Sequence, residues 1–331
     1  MHIIIAMPDD QTRATFIPAD EMAAIRRLGT VWINDSPERL TPDIWAQVLP
    51  EAHAVITGWG APRFDESLMQ HAPNLKIIAH TGGSVATMAH QAIYDAGVHL
   101  VSANEVYAQS VAEGVIGYIM SAQRSIPYWG NVMREGGWNR QGDHPTRALL
   151  EKHVGLVGFG AVARYLAPML AAFSCRVSAY DPFIDEARMA ALGVRKVSLE
   201  EAMNNDIVSL HAPKTPETNG LIGAAQLALM PDDALLVNTA RGNLLDEKAL
   251  SAEVASGRLR CMLDVYEPEP PAPDHPLRTL DGTLLIPHMA GPTIDRRPAA
   301  TRFVLAEVER VFAGQAPLHA IPYEYAMRMT Q

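Results

Sequence analysis

The residues best suited to chemistry begin at Val154, where Val154-Gly155-Leu156-Val157-Gly158-Phe159-Gly160-Ala161-Val162-Ala163 reads as a strand, a glycine turn and the start of a helix. Gly158 permits a tight turn, Gly160 lets the backbone approach a pyrophosphate with no Cβ in the way, and Ala163 keeps helix and strand close. The free N–H groups of such a helix start, around Phe159, Ala161 and Val162, suit phosphate oxygens. Asp181 closes the next apolar run, where a carboxylate accepts hydrogen bonds from the adenosine ribose hydroxyls. A 2′-phosphate ~5 Å from that carboxylate would be repelled by roughly 3 kcal/mol per unit charge at an effective dielectric of ~20. Halved by screening, that is still a preference of about tenfold for NAD over NADP. Pro182, Phe183 and Ile184 supply no base to offset it.

A second set could bind an anion and move a proton. Arg241 follows the apolar run 234–238, and strand ends are where doubly wound sheets place their ligands. Its forked donors suit a carboxylate and can polarise a neighbouring carbonyl. His288 is an acid/base near neutral pH, and a carboxylate neighbour would favour its charged form and fix its orientation. Glu267 and Glu269, in Glu267-Pro268-Glu269-Pro270, are the two candidates for that neighbour. Singly, each has an ordinary alternative: a surface ion pair, a loop histidine, a solvated turn. Their order after a dinucleotide turn is what points to function.

The elements that must position these groups are legible as short apolar runs. The first series is 3–6, 54–57, 75–79 and 98–102; the second is 154–157, 176–180, 207–210, 234–238, 262–265 and 284–286. Runs this short, bounded by Gly, Pro, Asn or Asp, predict strands buried on both faces of a parallel sheet. Helical patterns lie between them, as at 162–173 and 247–256, so the chain predicts an α/β fold with two doubly wound parallel sheets. The break falls within 104–150. Ser110–Ser125 reads as a long apolar helix with Ser110 as N-cap and Glu113 completing a capping box. A polar stretch follows with Gly136, Gly137, Gly142 and Pro145. The last helix, 298–314, is expected to return to the first sheet, giving a discontinuous domain of 1–103 and 296–331 around one of 104–295.

With 331 residues, 48% hydrophobic and 19% charged, the chain can bury two ordinary cores. A formal net charge of −10 argues against nucleic acid or an anionic membrane as the main partner. Cys175 and Cys261 sit in apolar runs with no metal-ligand spacing, so neither a disulfide framework nor a metal is expected. The start, Met1 to Ala6, runs directly into Asp9 and Asp10, unlike a secretory signal, and a cytoplasmic location is expected.

Over nearly its whole length the sequence resembles the D-isomer specific 2-hydroxyacid dehydrogenase family. The resemblance rests on Ser110-Val111-Ala112-Glu113, the glycine turn with Asp181, and Leu210-His211-Ala212-Pro213 continuing to Thr218. It continues with Val237-Asn238-Thr239-Ala240-Arg241-Gly242, Leu263-Asp264-Val265-Tyr266-Glu267-Pro268-Glu269-Pro270 and Pro287-His288-Met289-Ala290-Gly291. It implies a Rossmann NAD-binding domain inserted in a flavodoxin-like substrate domain, with chemistry in a cleft. It assigns Arg241, Glu269 and His288 as catalytic, the glutamate being the one directly before the final proline. It also implies cofactor contacts at His211, Ala212, Pro213, Thr218, Thr239, Ala240 and Gly291, with Asp264 facing the nicotinamide carboxamide. The reaction implied interconverts a 2-oxo acid and a D-2-hydroxy acid with NAD(H), and reduction is expected to fade as rising pH deprotonates His288.

The resemblance is looser on the substrate side. The family's G-x-G-x-D-N loop, whose backbone N–H groups hold the substrate carboxylate, reads here His80-Thr81-Gly82-Gly83-Ser84 and lacks the Asp-Asn. Phosphoglycerate dehydrogenases carry arginines where this chain has Thr57-Gly58-Trp59-Gly60, and Arg63 is the only base nearby in sequence. The expected substrate is therefore a small unphosphorylated 2-oxo acid of the glyoxylate or hydroxypyruvate kind, contacting Trp59, Thr81, Gly82, Gly83, Ser84, Arg241 and His288. Glu105 and Tyr107 replace common family residues and either shape the pocket or pack the hinge. Trp138 lies near the family's dimer contact, so a homodimer built on 110–150 is expected. The alternatives are an NAD(H)-sensing binding protein of the corepressor type, or a dehydrogenase of another small acid such as phosphite or formate.

Overall fold

A computed structural model describes residues 1–139 and 144–330; Gly142 of the polar stretch lies outside them. The chain divides into two compact units, one of 1–107 with 292–330 and one of 108–291.

In the first unit, β1 (His2–Ile5), β2 (Thr30–Ile33), β3 (Ala54–Thr57), β4 (Ile77–His80) and β5 (His99–Ser102) form a parallel sheet of order β2-β1-β3-β4-β5. Side chains alternate across a strand, so residues in register share a face. Ile4, Val55, Ile78 and Leu100 align and pack with Trp45, Phe64 and Ile93 on one side. Ile3, Ile56 and Val101 turn to the other, against Phe16, Ile25 and the helix Arg297–Phe312.

In the second unit, β6 (His153–Val157), β7 (Arg176–Tyr180), β8 (Arg195–Lys196), β9 (Ile207–Leu210), β10 (Leu235–Asn238), β11 (Arg260–Leu263) and β12 (Thr283–Leu285) form a parallel sheet. Its order is β12-β11-β10-β9-β6-β7-β8, the doubly wound arrangement whose ligand crevice lies beyond the strands' carboxyl ends. The central strands β9 and β10 are buried along their whole length. Cys261 is buried in this core, and both cysteines are free thiols.

Two expectations need correction. The long helix is Asn104–Gln123, so Ser110 is an interior, buried residue and no N-cap; Ser102 Oγ accepts from the Asn104 N–H where the helix begins. The apolar run from Val106 simply carries the helix back past a local capping pattern. Two edge strands, β2 and β8, also went unread, because neither has a fully buried residue and so each gives a weak apolar signal. Among the described residues no helix is long and apolar enough to cross a membrane.

Candidate active site

The glycine turn leaves β6 and enters the helix Ala161–Ala171 with Gly160 as its N-cap. Gly158 has φ +94, and a Cβ there would fall 2.6 Å from the Ala212 nitrogen, so only glycine fits. A Cβ on Gly160 would meet nothing within 4 Å, which leaves its surface open for a ligand to lie against the backbone. Asp181, just past β7 and expected to face a ribose, also organises the backbone. Its Oδ2 accepts from the Phe159 N–H at 2.8 Å, and its Oδ1 accepts from the N–H groups of Phe183 and Ile184. The carboxylate therefore ties the glycine turn to the next strand.

The loops after β9 and β10 form a further wall. Thr218 Oγ1 donates to the Pro213 carbonyl and accepts from the Thr215 N–H, which folds the 213–218 loop onto itself. Burial pushes the His211 pKa down to about 4, so the ring is neutral. Its Nε2 and the hydroxyl of Thr239 are buried with no hydrogen-bond partner. Unpaired buried polar atoms are costly unless something satisfies them. Together with the open face of Gly160 they fit a bound dinucleotide: the turn for the diphosphate, Asp181 for the ribose, His211 and Thr239 toward the rest.

Arg241, Glu269 and His288 come from the loops that follow three neighbouring strands, β10, β11 and β12. Asn238, wholly buried, shapes the first loop: its Oδ1 accepts from Ala240 N–H and its Nδ2 donates to the Arg241 carbonyl. Gly242 lies so close to the next loop that a Cβ would be 2.0 Å from the Tyr266 carbonyl carbon. Burial lowers the pKa of Arg241 and the Glu269 carboxylate works against that, while an arginine keeps its charge regardless.

Glu269 bridges backbone and ring. Its Oε1 accepts from the Tyr266 N–H at 2.9 Å, and its Oε2 lies 2.7 Å from His288 Nδ1. That leaves His288 Nε2 as the exchangeable face. Glu267 points elsewhere, to Lys214 at 3.3 Å, while its N–H donates to Glu247.

Asp264 is fully buried and holds the histidine turn: its carboxylate accepts from the N–H groups of Met289 and Ala290, and its carbonyl accepts from that of His288. Burial raises its pKa, while those two amides and His288 pull it down. The turn holds His288 at φ +53, a left-handed backbone uncommon outside glycine and asparagine. Sequence reasoning missed Asn238 and Glu247 as organisers. Asn238 carried a signal, an amide at a strand end three residues before a candidate arginine; Glu247, 20 residues before the amide it accepts from, carried none.

Of the expected substrate contacts, Trp59, Thr81, Gly82, Gly83 and Ser84 lie in the first unit and Arg241 and His288 in the second. Thr81 is buried and its hydroxyl donates to the Thr57 carbonyl, while Ser84 Oγ donates to the carbonyl of Thr330 at 2.5 Å. These side chains are engaged internally, and what the loop offers a ligand is backbone. Gly82 lies against the ring of His80, whose Nδ1 is 2.9 Å from Thr57 Oγ1; Gly83 lies against Tyr107. Trp59 is 51% exposed, edge-on to Phe16 and Tyr107. Arg63 is exposed and is not the base at this loop: Arg39 lies over Gly60, and Arg297 over the Trp59 ring.

Residues 116–290 match the family described as D-isomer specific 2-hydroxyacid dehydrogenase, NAD binding domain. A D-3-phosphoglycerate dehydrogenase of Mycobacterium bovis is 35% identical over 286 residues, 86% of this chain and 53% of the relative. The chain thus spans about half the length of the phosphoglycerate dehydrogenases it matches. A hydroxypyruvate reductase of Thermotoga maritima is 31% identical over 299 residues, 89% of this chain and 95% of the relative. Among solved structures, a phosphoglycerate oxidoreductase from Rhizobium etli superposes with a TM-score of 0.82 at 25% identity, covering 97% of this chain and 98% of that one. Fold, glycine turn and relatives agree: the chain belongs to the D-isomer specific 2-hydroxyacid dehydrogenase family.

Proposed function

We propose that this chain reduces a small unphosphorylated 2-oxo acid to the D-2-hydroxy acid with NADH, and runs the reverse reaction with NAD. The observation that carries this is the Glu269–His288 contact of 2.7 Å, on a loop next to that of Arg241. When bound, NADH supplies the hydride. Arg241 holds the substrate carboxylate and polarises the C2 carbonyl. Protonated His288 donates from Nε2 to the developing alkoxide, and Glu269 fixes the ring through Nδ1. In oxidation neutral His288 takes the proton back. The backbone of 81–84 and the indole of Trp59 are the proposed contacts for the remainder of the acid.

The test is loss of NADH absorbance with glyoxylate, hydroxypyruvate, pyruvate and phenylpyruvate. Turnover of at least one is expected; none, with NADH binding intact, would move the assignment to a sensing role. Asp181 sets the cofactor choice. Asp181→Ser should raise the NADPH-to-NADH ratio of kcat/KM about tenfold. The NADH value itself should also fall, because the Phe159 N–H loses its acceptor. An unchanged ratio would remove Asp181 from cofactor selection.

The proposed assembly is a homodimer, in the cytoplasm. The helix Ile126–Arg134 buries none of its residues within the chain, and Ile126 and Met133 are more than half exposed. An apolar face like this is characteristic of a subunit contact. Light scattering should give twice the chain mass, and Ile126→Glu with Met133→Glu should give one; a monomeric wild type would refute the dimer.

A further inference from the structure

In a sheet of order β2-β1-β3-β4-β5 the chain leaves β1 and β3 toward opposite faces, and a crevice opens beyond their carboxyl ends. The first unit has one there. It is a cavity of about 150 Å³ between the segment after β1, with Met7 and Pro8, and the segment 57–62 after β3.

Two arginines distant in sequence lie against adjacent residues of this segment, Arg39 against Gly60 and Arg297 against Trp59. Arg39 lines the cleft and lies so tightly over Gly60, φ +77, that a Cβ there would be 2.2 Å from its Cζ. Arg297 stacks 5.7 Å from the ring centroid of Trp59, which lines the same cleft, and 5.4 Å from that of Phe16. Its Nη1 donates to Thr15 Oγ1 at 3.0 Å, but its Nε is buried without a partner. The neighbouring Tyr107 hydroxyl is buried without one too, and burial there pushes its pKa upward. Among the described residues neither arginine has a carboxylate within ion-pair distance, in a chain whose net charge is −10. A guanidinium lining the cleft and a second stacked on the indole that also lines it, neither paired with a carboxylate, form a local anion receptor with an apolar wall.

We propose that Arg39 and Arg297 bind a second carboxylate, so that the preferred substrate is a 2-oxo dicarboxylic acid whose methylene chain lies against Trp59. This deepens the reading of the chain as a 2-oxo acid reductase and rests on it. The experiment compares kcat/KM for oxaloacetate and 2-oxoglutarate with that for pyruvate and 2-oxobutyrate, in wild type, Arg39→Leu and Arg297→Lys. Wild type should favour the dicarboxylic acids by at least tenfold, roughly what one charge-assisted contact provides. Arg39→Leu should reduce that ratio about ten- to a hundredfold, and Arg297→Lys, which keeps the charge but loses the fork, by less.

Equal use of both acid classes, unaltered by either substitution, would overturn the second site while leaving the reductase intact. A preference for 3-phosphohydroxypyruvate over every dicarboxylic acid would overturn the carboxylate assignment. Binding is read separately with glutarate, which has no carbonyl to reduce. It should change the tryptophan emission of wild type but not of Trp59→Phe or Arg39→Leu. No change in wild type would refute the site even in an enzyme that turned over nothing.

Discussion

Replacing His288 with alanine should slow NADH-dependent reduction of any accepted 2-oxo acid by about 10²- to 10⁴-fold in kcat, with NADH affinity little altered. That range is what a positioned general acid contributes. The geometry favours its upper part. Glu269 is fixed at one oxygen by the Tyr266 N–H and at the other by His288 Nδ1, so the imidazole has one orientation and presents one nitrogen. With the ring gone, water would have to supply the proton, and nothing on the β12 loop would orient it. Stopped-flow single-turnover absorbance separates the proton-coupled step from cofactor release, and fluorescence titration reports NADH binding. His288→Asn is the companion variant, because asparagine tolerates the φ of +53 at this position better than most side chains. A loss in both variants that tracks weakened NADH binding would assign His288 to the cofactor instead of to the proton.

Arg241→Ala should lower kcat/KM for reduction by about 10³-fold, roughly 4 kcal/mol of transition-state stabilisation. Two contributions add here. The guanidinium pairs with the carboxylate through its fork, and it also draws electron density from the carbonyl as negative charge develops. The first would appear in KM and the second in kcat, so both constants should move. Burial makes the effect larger than a surface arginine would give, since the desolvation that lowers the Arg241 pKa also strengthens its attraction for an anion. Arg241→Lys should recover part of KM and little of kcat, because an ammonium carries the charge but not the planar pair of donors. A change in KM alone would reduce Arg241 to an anchor.

Much of this was legible in the sequence because the relevant physics is local. A parallel strand buried on both faces must be a short apolar run, and ten such runs mark ten of the twelve strands. The glycine turn is equally local, since Gly158 needs a positive φ and Gly160 an open face. What failed to show was long-range. Glu247 reaches the Glu267 amide, and also His275 at 2.8 Å, from a helix with no local mark of that role. Arg39 and Arg297 are far apart along the chain and reach the neighbouring residues Gly60 and Trp59 only once the first sheet has formed. The capping pattern at Ser110 shows the opposite error, a sound local rule overridden by the apolar stretch in front of it.

The double duty of Asp181 bears on how this chain could change its cofactor over generations. The carboxylate that disfavours a 2′-phosphate is also the acceptor that holds the Phe159 amide in the turn. A lineage that lost the acid first would relax its preference at the cost of a loosened turn, with no base yet to hold a 2′-phosphate. The accessible order of substitutions is the reverse. A neutral acceptor for that amide must appear first, then a base in the Pro182–Ile184 segment, and only then can Asp181 go.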